Sequence, residues 1–158
     1  MRQLILATLC VAMSTAALAA DHEVPYPEGY RDWHHVKSMV IEEGHPLYAP
    51  FGGIHHLYAN NKAMQGYQKG TFPDGSVIIF DLLEAVHDGN TVTEGNRKVV
   101  GVMHKESKQY RDTGGWGFEG FGEGDRTIRV VGESAASVCF ACHAPQKAQD
   151  YTFSKLRN

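Results

Sequence analysis

Cys139 and Cys142 stand three residues apart near the C-terminus, and His143 follows at once. Thiols at that spacing can each add to one vinyl group of a haem while the adjacent imidazole reaches the iron. The run Cys139-Phe140-Ala141-Cys142-His143 is therefore the pattern of covalent haem attachment. The other readings of a Cys-x-x-Cys pair are weaker. No second pair exists to complete a zinc site, and no thioredoxin-like βαβ pattern surrounds this one. The residues predict one haem c per chain, with His143 as the iron ligand.

The other end of the chain predicts where such a protein works. Arg2, the apolar run from Leu4 to Ala16 and the small residues around Ala17-Leu18-Ala19 read as a secretory signal peptide over residues 1–20. That run is too short to span a bilayer, and Asp21, His22 and Glu23 follow it. Cys10 lies inside it behind Leu9 rather than a small residue, so no lipid anchor is expected and this cysteine leaves with the signal. An exported chain whose two remaining thiols are both taken by haem is expected in the bacterial periplasm. About 138 residues remain, enough for one domain, 21–158, with its own core. A net charge of −3 and the lack of any Lys/Arg block argue against nucleic acid or an anionic membrane as partner.

The elements that must position the haem segment read as mostly strand. Residues 21–32, with two prolines and a glycine, form an arm leading into the fold. Trp33 to Ile41 predicts a strand with Val36, Ser38 and Val40 on one face and Trp33, His35, Lys37, Met39 and Ile41 on the other. Ile54 to Ala59 predicts a second strand, and Asn60 to Lys69 a short helix capped by Asn60 and closed by Gly70. Phe72-Pro73-Asp74-Gly75 is a turn, and Ser76 to Val86 is an apolar strand buried on both faces. Residues 88–97 read as a polar loop, Lys98 to His104 as a fourth strand, Glu106 to Arg111 as a helical turn and Trp116 to Phe121 as a fifth strand. Thr127 to Val131 adds a short strand, and helix begins near Ser134. The class is α+β and β-rich: an antiparallel sheet of about five strands, a few short helices and a C-terminal haem-attachment helix.

The position of the haem motif separates this chain from the commonest small cytochromes, where the motif comes early and a downstream methionine completes the iron. Only 15 residues follow His143, with neither Met nor His among them. The alternating runs also deny the four amphipathic helices of a cytochrome c-prime.

Tyr30-Arg31-Asp32-Trp33, Ala49-Pro50-Phe51, Phe72-Pro73-Asp74-Gly75, Gly115-Trp116-Gly117-Phe118, the closing haem motif and Tyr151-Thr152-Phe153-Ser154 together resemble the cytochrome P-460 family. The resemblance implies a β-rich homodimer with a c-type haem, a proximal histidine matching His143 and an open distal side. Hydroxylamine-oxidising members of that family carry a lysine, cross-linked to the macrocycle, on the strand after the Asp-Gly turn. Here that position falls on Phe80, and no lysine occurs between Lys69 and Lys98. The sequence is more similar to the cytochrome c-prime-beta branch, whose distal phenylalanines would fall on Phe51 and Phe80.

Aromatic rings over an iron offer no hydrogen bond and little room for water, so charged ligands lose solvation that nothing restores, whereas neutral diatomics lose almost none. Nitric oxide and carbon monoxide are the expected ligands, with a periplasmic electron donor or acceptor as partner. His55, on Phe51's face if the strand runs straight between them, is the nearest polar candidate for the pocket, able to donate a hydrogen bond or ligate iron, with a surface or dimer-contact role as the alternative. It stands where cross-linked members tend to carry an arginine. Met39, Met64 and Met103 are sixth ligands in principle, with core packing the expectation for each. Arg126, Arg129 and Lys147 are candidates to neutralise the propionates. Two alternatives to gas binding stay open: a haem oxidoreductase acting on hydroxylamine or nitric oxide, and an electron-transfer cytochrome with a sixth Met or His ligand.

Overall fold

A computed structural model describes residues 23–157, so the expected signal peptide and Cys10 lie outside the described residues. The chain forms one five-stranded antiparallel meander in the order β1-β2-β3-β4-β5. The strands are β1 (His34–Ile41), β2 (Gly53–Ala59), β3 (Val77–Asp88), β4 (Thr91–Lys105) and β5 (Trp116–Gly122). A four-residue helix α1 (Tyr48–Phe51) precedes β2, and α2 (Asn61–Lys69) links β2 to β3. Among the described residues no helix is long and apolar enough to cross a membrane.

Helix α2 forms as its sequence directs. The Asn60 side chain accepts from the Ala63 N–H at 2.9 Å, satisfying one of the free donors of the first turn. Gly70 closes the helix in the left-handed region at φ 79°.

Both sheet faces are covered. On one, Val36, Ala59, Ile78, Trp116 and Phe118 pack with Ala63 of α2 and with Cys139 and Phe140 of the C-terminal segment. On the other, Ile79, Val100, Val102 and Phe121 lie under the arm, which contributes Val24, Tyr26 and Tyr30. Trp116 and Phe121 are fully buried, each contributing on the order of 2–3 kcal/mol through lost apolar exposure. Tyr30 also donates to the buried Asp81 carboxylate at 2.8 Å, which Arg97 pairs from β4 at 2.6 Å. The arm is thus a wall of the domain as well as a lead-in.

The structure departs from the sequence reading in four places. Residues 88–97 are no loop: β3 and β4 continue as a hairpin, with Asp88 opposite Thr91 across Gly89-Asn90. Gly89 takes φ 55°, the requirement of a two-residue turn whose first central residue is left-handed. Thr127 to Val131 supplies only an isolated bridge between Arg129 and Phe121. The helical turn at Glu106, whose carbonyl accepts from the Gln109 and Tyr110 N–H groups at 3.0 Å, is followed by a 3-10 turn at Arg111–Thr113 that the sequence reading did not include. A register shift between His35 and Lys37 breaks the alternation of β1, so Val36 packs beside Ala59 and Ile78 while Val40 stays exposed.

The C-terminal segment is helical over residues 132–149 but irregular. A 3-10 turn at Gly132–Ser134 opens into wide π turns over Ala135–Phe140, then Ala141–His143, then 3-10 turns over Ala144–Gln149. Its start is tied to β5 by Glu119, whose carboxylate accepts from the backbone N–H of Val131 at 3.0 Å and of Gly132 at 3.3 Å.

Candidate haem site

Strand pairing lays the candidate residues on one face of the sheet in three rows. The first row reads Ala59, Ile78, Met103, Phe118, the second Leu57, Phe80, Gly101, Gly120, and the third His55, Leu82, Val99, Gly122. His143 stands against the first row, its ring 5.0 Å from Phe118, and Phe153 meets it edge-on at 4.9 Å. Phe80 occupies the second row and is half-buried. Phe51, presented by α1 rather than by a straight strand, reaches Phe80 edge-on at 5.6 Å. His55 stands in the third row with its ring 4.4 Å from Phe80. The structure thus gathers Phe51, Phe80 and His55 in one cluster, and Cys139, Cys142 and His143 in another on the same face.

Phe80 and Phe118 are two strands and two residues apart, which sheet geometry converts to roughly 12 Å between Cα positions. Gly101 lies between them. The three atoms nearest to a Cβ built there all belong to Phe80, the closest at 3.3 Å, so a side chain at 101 would crowd the ring and fill the floor.

His143 is oriented by its backbone surroundings. Nδ1 donates to the Tyr151 carbonyl at 2.7 Å, leaving the Nε2 lone pair for a metal. Burial lowers its pKa, partly opposed by that bond, so the ring is neutral near pH 7. The carbonyl arrives there because Asp150 and Tyr151 both adopt left-handed conformations, φ 48° and 64°, which non-glycine residues hold only when other contacts enforce them. Those contacts are present. The Asp150 carboxylate accepts from Lys105 Nζ at 2.7 Å and from the Phe72 N–H at 2.8 Å, and its carbonyl accepts from Trp116 Nε1 at 2.9 Å.

Both cysteines are free thiols, Cys139 half-buried against the core and Cys142 exposed. Burial raises the Cys139 pKa. These residues fit a haem: two thiols, an imidazole with one nitrogen unspent, a glycine floor, and apolar side chains at Phe51, Val138 and Phe153.

Other candidates are placed elsewhere. Arg126 pairs with Glu28 at 2.7 Å, and Arg129 pairs with Glu119 and Glu23 while lying over Phe121, so both belong to the arm side of the sheet. Met64 and Met103 pack in the core beside Cys139, but Met39 is half exposed, because edge strand β1 has no layer above it there. His56 points away from His55 to Glu94 at 2.7 Å and Ser38 at 2.6 Å. Sequence reasoning missed the Lys105, Asp150 and Tyr151 clamp. Trp116 and Tyr151 do stand in the quoted motifs, whereas nothing in the spacing joins Lys105 to Asp150.

An antiparallel sheet that gathers a Cys-x-x-Cys-His helix and a cluster of aromatic rings on one face fits the site of a haem protein. The sequence matches the Cytochrome P460 family over residues 27–154, most of the chain, and the chain belongs to that family. A comparison with curated proteins gave no match.

Proposed function

We propose that the chain is an exported c-type haem protein of the cytochrome c-prime-beta kind, bound through Cys139 and Cys142, whose iron is held by His143 and left open toward Phe51 and Phe80 to bind nitric oxide and carbon monoxide. When bound, the haem supplies an iron that takes a neutral diatomic at its free position. His143 presents Nε2, and the Tyr151 carbonyl fixes the proton on Nδ1. The observation that carries the reading is the aromatic pair. By the resemblance Phe80 falls where hydroxylamine-oxidising members carry lysine, and Phe51 meets it edge-on at 5.6 Å.

Two rings without donors offer a bound ligand no hydrogen bond and penalise charged ligands. Neither can remove a proton, which hydroxylamine oxidation requires of a positioned base. The family likeness supports a homodimer, and the N-terminal sequence supports export to the periplasm, where a redox partner would keep the iron reduced.

Titrating the reduced protein with nitric oxide, beside a hydroxylamine turnover assay, tests the proposal. Saturable gas binding at one site per chain without turnover supports it. Steady hydroxylamine oxidation would replace it with the oxidoreductase reading.

A further inference from the structure

His55 is only 3% exposed, and among the described residues its Nδ1 has no hydrogen-bond partner. A sealed polar atom of this kind costs about 1–3 kcal/mol, and a leucine or phenylalanine would fill the same space without that cost. Burial, with a smaller contribution from His56, pushes its pKa down to about 4, so the ring is neutral and keeps a lone pair.

Its place in the rows gives the orphaned group a role. His143 meets the first row and His55 the third, and Phe80 stands in the row between them. Phe80 and His55 lie nearly ring on ring, 4.4 Å apart and tilted by 34°. The phenyl ring therefore stands between the imidazole and the floor over Gly101. Phe80 is half-buried, so its ring is not enclosed on every side.

We propose that His55 is a latent second axial base, held off the open side of the iron by the ring of Phe80 and able to ligate when that ring is displaced. The inference rests on the reading above, in which His143 holds the iron from the other side. It makes the phenylalanine a shutter as well as an apolar lid. The chain would then convert between an open, gas-binding form and a closed form with two imidazoles.

The test is the ferric optical and electron paramagnetic resonance spectra of the haem-loaded protein, its Phe80→Ala and Phe80→Val variants, His55→Leu, and Phe80→Ala combined with His55→Leu. The parent and His55→Leu are expected to be predominantly high-spin. Removing the ring should produce a predominantly low-spin iron, and the double variant should return to high spin. A haem-loaded Phe80→Ala or Phe80→Val protein that stays high-spin overturns the proposal, as does a low-spin signal that survives the loss of His55. Should neither Phe80 variant accumulate with haem, the parent decides. A minor low-spin signal at low temperature, absent from His55→Leu, sustains the proposal, and its absence overturns it. Low spin in both the parent and His55→Leu would instead refute the open-iron reading itself.

Discussion

Replacing Lys105 by methionine removes one charge from the clamp behind His143 while keeping most of the side chain's volume. Lys105 Nζ lies 2.7 Å from Asp150 Oδ1, 3.1 Å from the Gly114 carbonyl and 5.0 Å from the Trp116 ring, and its side chain is 8% exposed. Without it the Asp150 carboxylate keeps only the Phe72 N–H. Breaking a buried ion pair from one side costs about 3–5 kcal/mol. Asp150 is itself 14% exposed, so water recovers part of this, and the lower end, about 3 kcal/mol, applies. At about 3 °C per kcal/mol for a domain of this size, the melting temperature should fall by about 9 °C. The left-handed pair at Asp150 and Tyr151 should relax once its anchor weakens, drawing the Tyr151 carbonyl away from His143. Thermal melts and the iron–histidine stretching band of the reduced, haem-loaded protein read the two effects separately. A variant that melts within about 2 °C of the parent with an unchanged band would refute the clamp.

Three further outcomes follow from the site. Replacing both Cys139 and Cys142 by serine should abolish haem that survives denaturing electrophoresis, while either single change should leave one bond; staining the gel for haem checks this. Phe80→Lys should alter the haem spectrum more than the fold, since a half-buried position lets the amine reach solvent, and a variant that simply unfolds would count against placing Phe80 at the pocket edge. His55 makes stability depend on pH. Its folded pKa of about 4 lies below the unfolded value near 6.5, so its contribution is intact above pH 6.5 and is lost as pH falls toward 4, to a limit of about 3 kcal/mol. Urea melts of His55→Leu across that window should show a shallower acid-side decline than the parent.

The parts legible in the sequence are those whose chemistry is local. Cys139, Cys142 and His143 fall within five residues on one helical segment, as their spacing implies, and Asn60 and Gly70 bound their helix by interactions within a turn. The apolar run of β3 likewise implies burial on both faces, and Ile78, Ile79, Leu82 and Leu83 are all buried. The far half of the hairpin was illegible for a physical reason. Beyond Leu83 the residues of both strands are exposed or half-exposed on both faces, so they are polar and read as loop. The break in β1 was hidden too, because one extra residue reverses the alternation without changing composition. Asp150 and Lys105 are 45 residues apart and join only because β4 passes beneath the end of the C-terminal segment. The shared face of Phe51 and Phe80 likewise depends on a four-residue helix that turns Phe51 inward.

The optical spectrum of the purified, chemically reduced protein tests the central claim most directly. An iron held by His143 alone beneath aromatic rings gives a high-spin ferrous spectrum. Sharp low-spin α and β bands would reveal a sixth protein ligand, and a strongly red-shifted Soret band would reveal a cross-linked macrocycle; either would contradict the account.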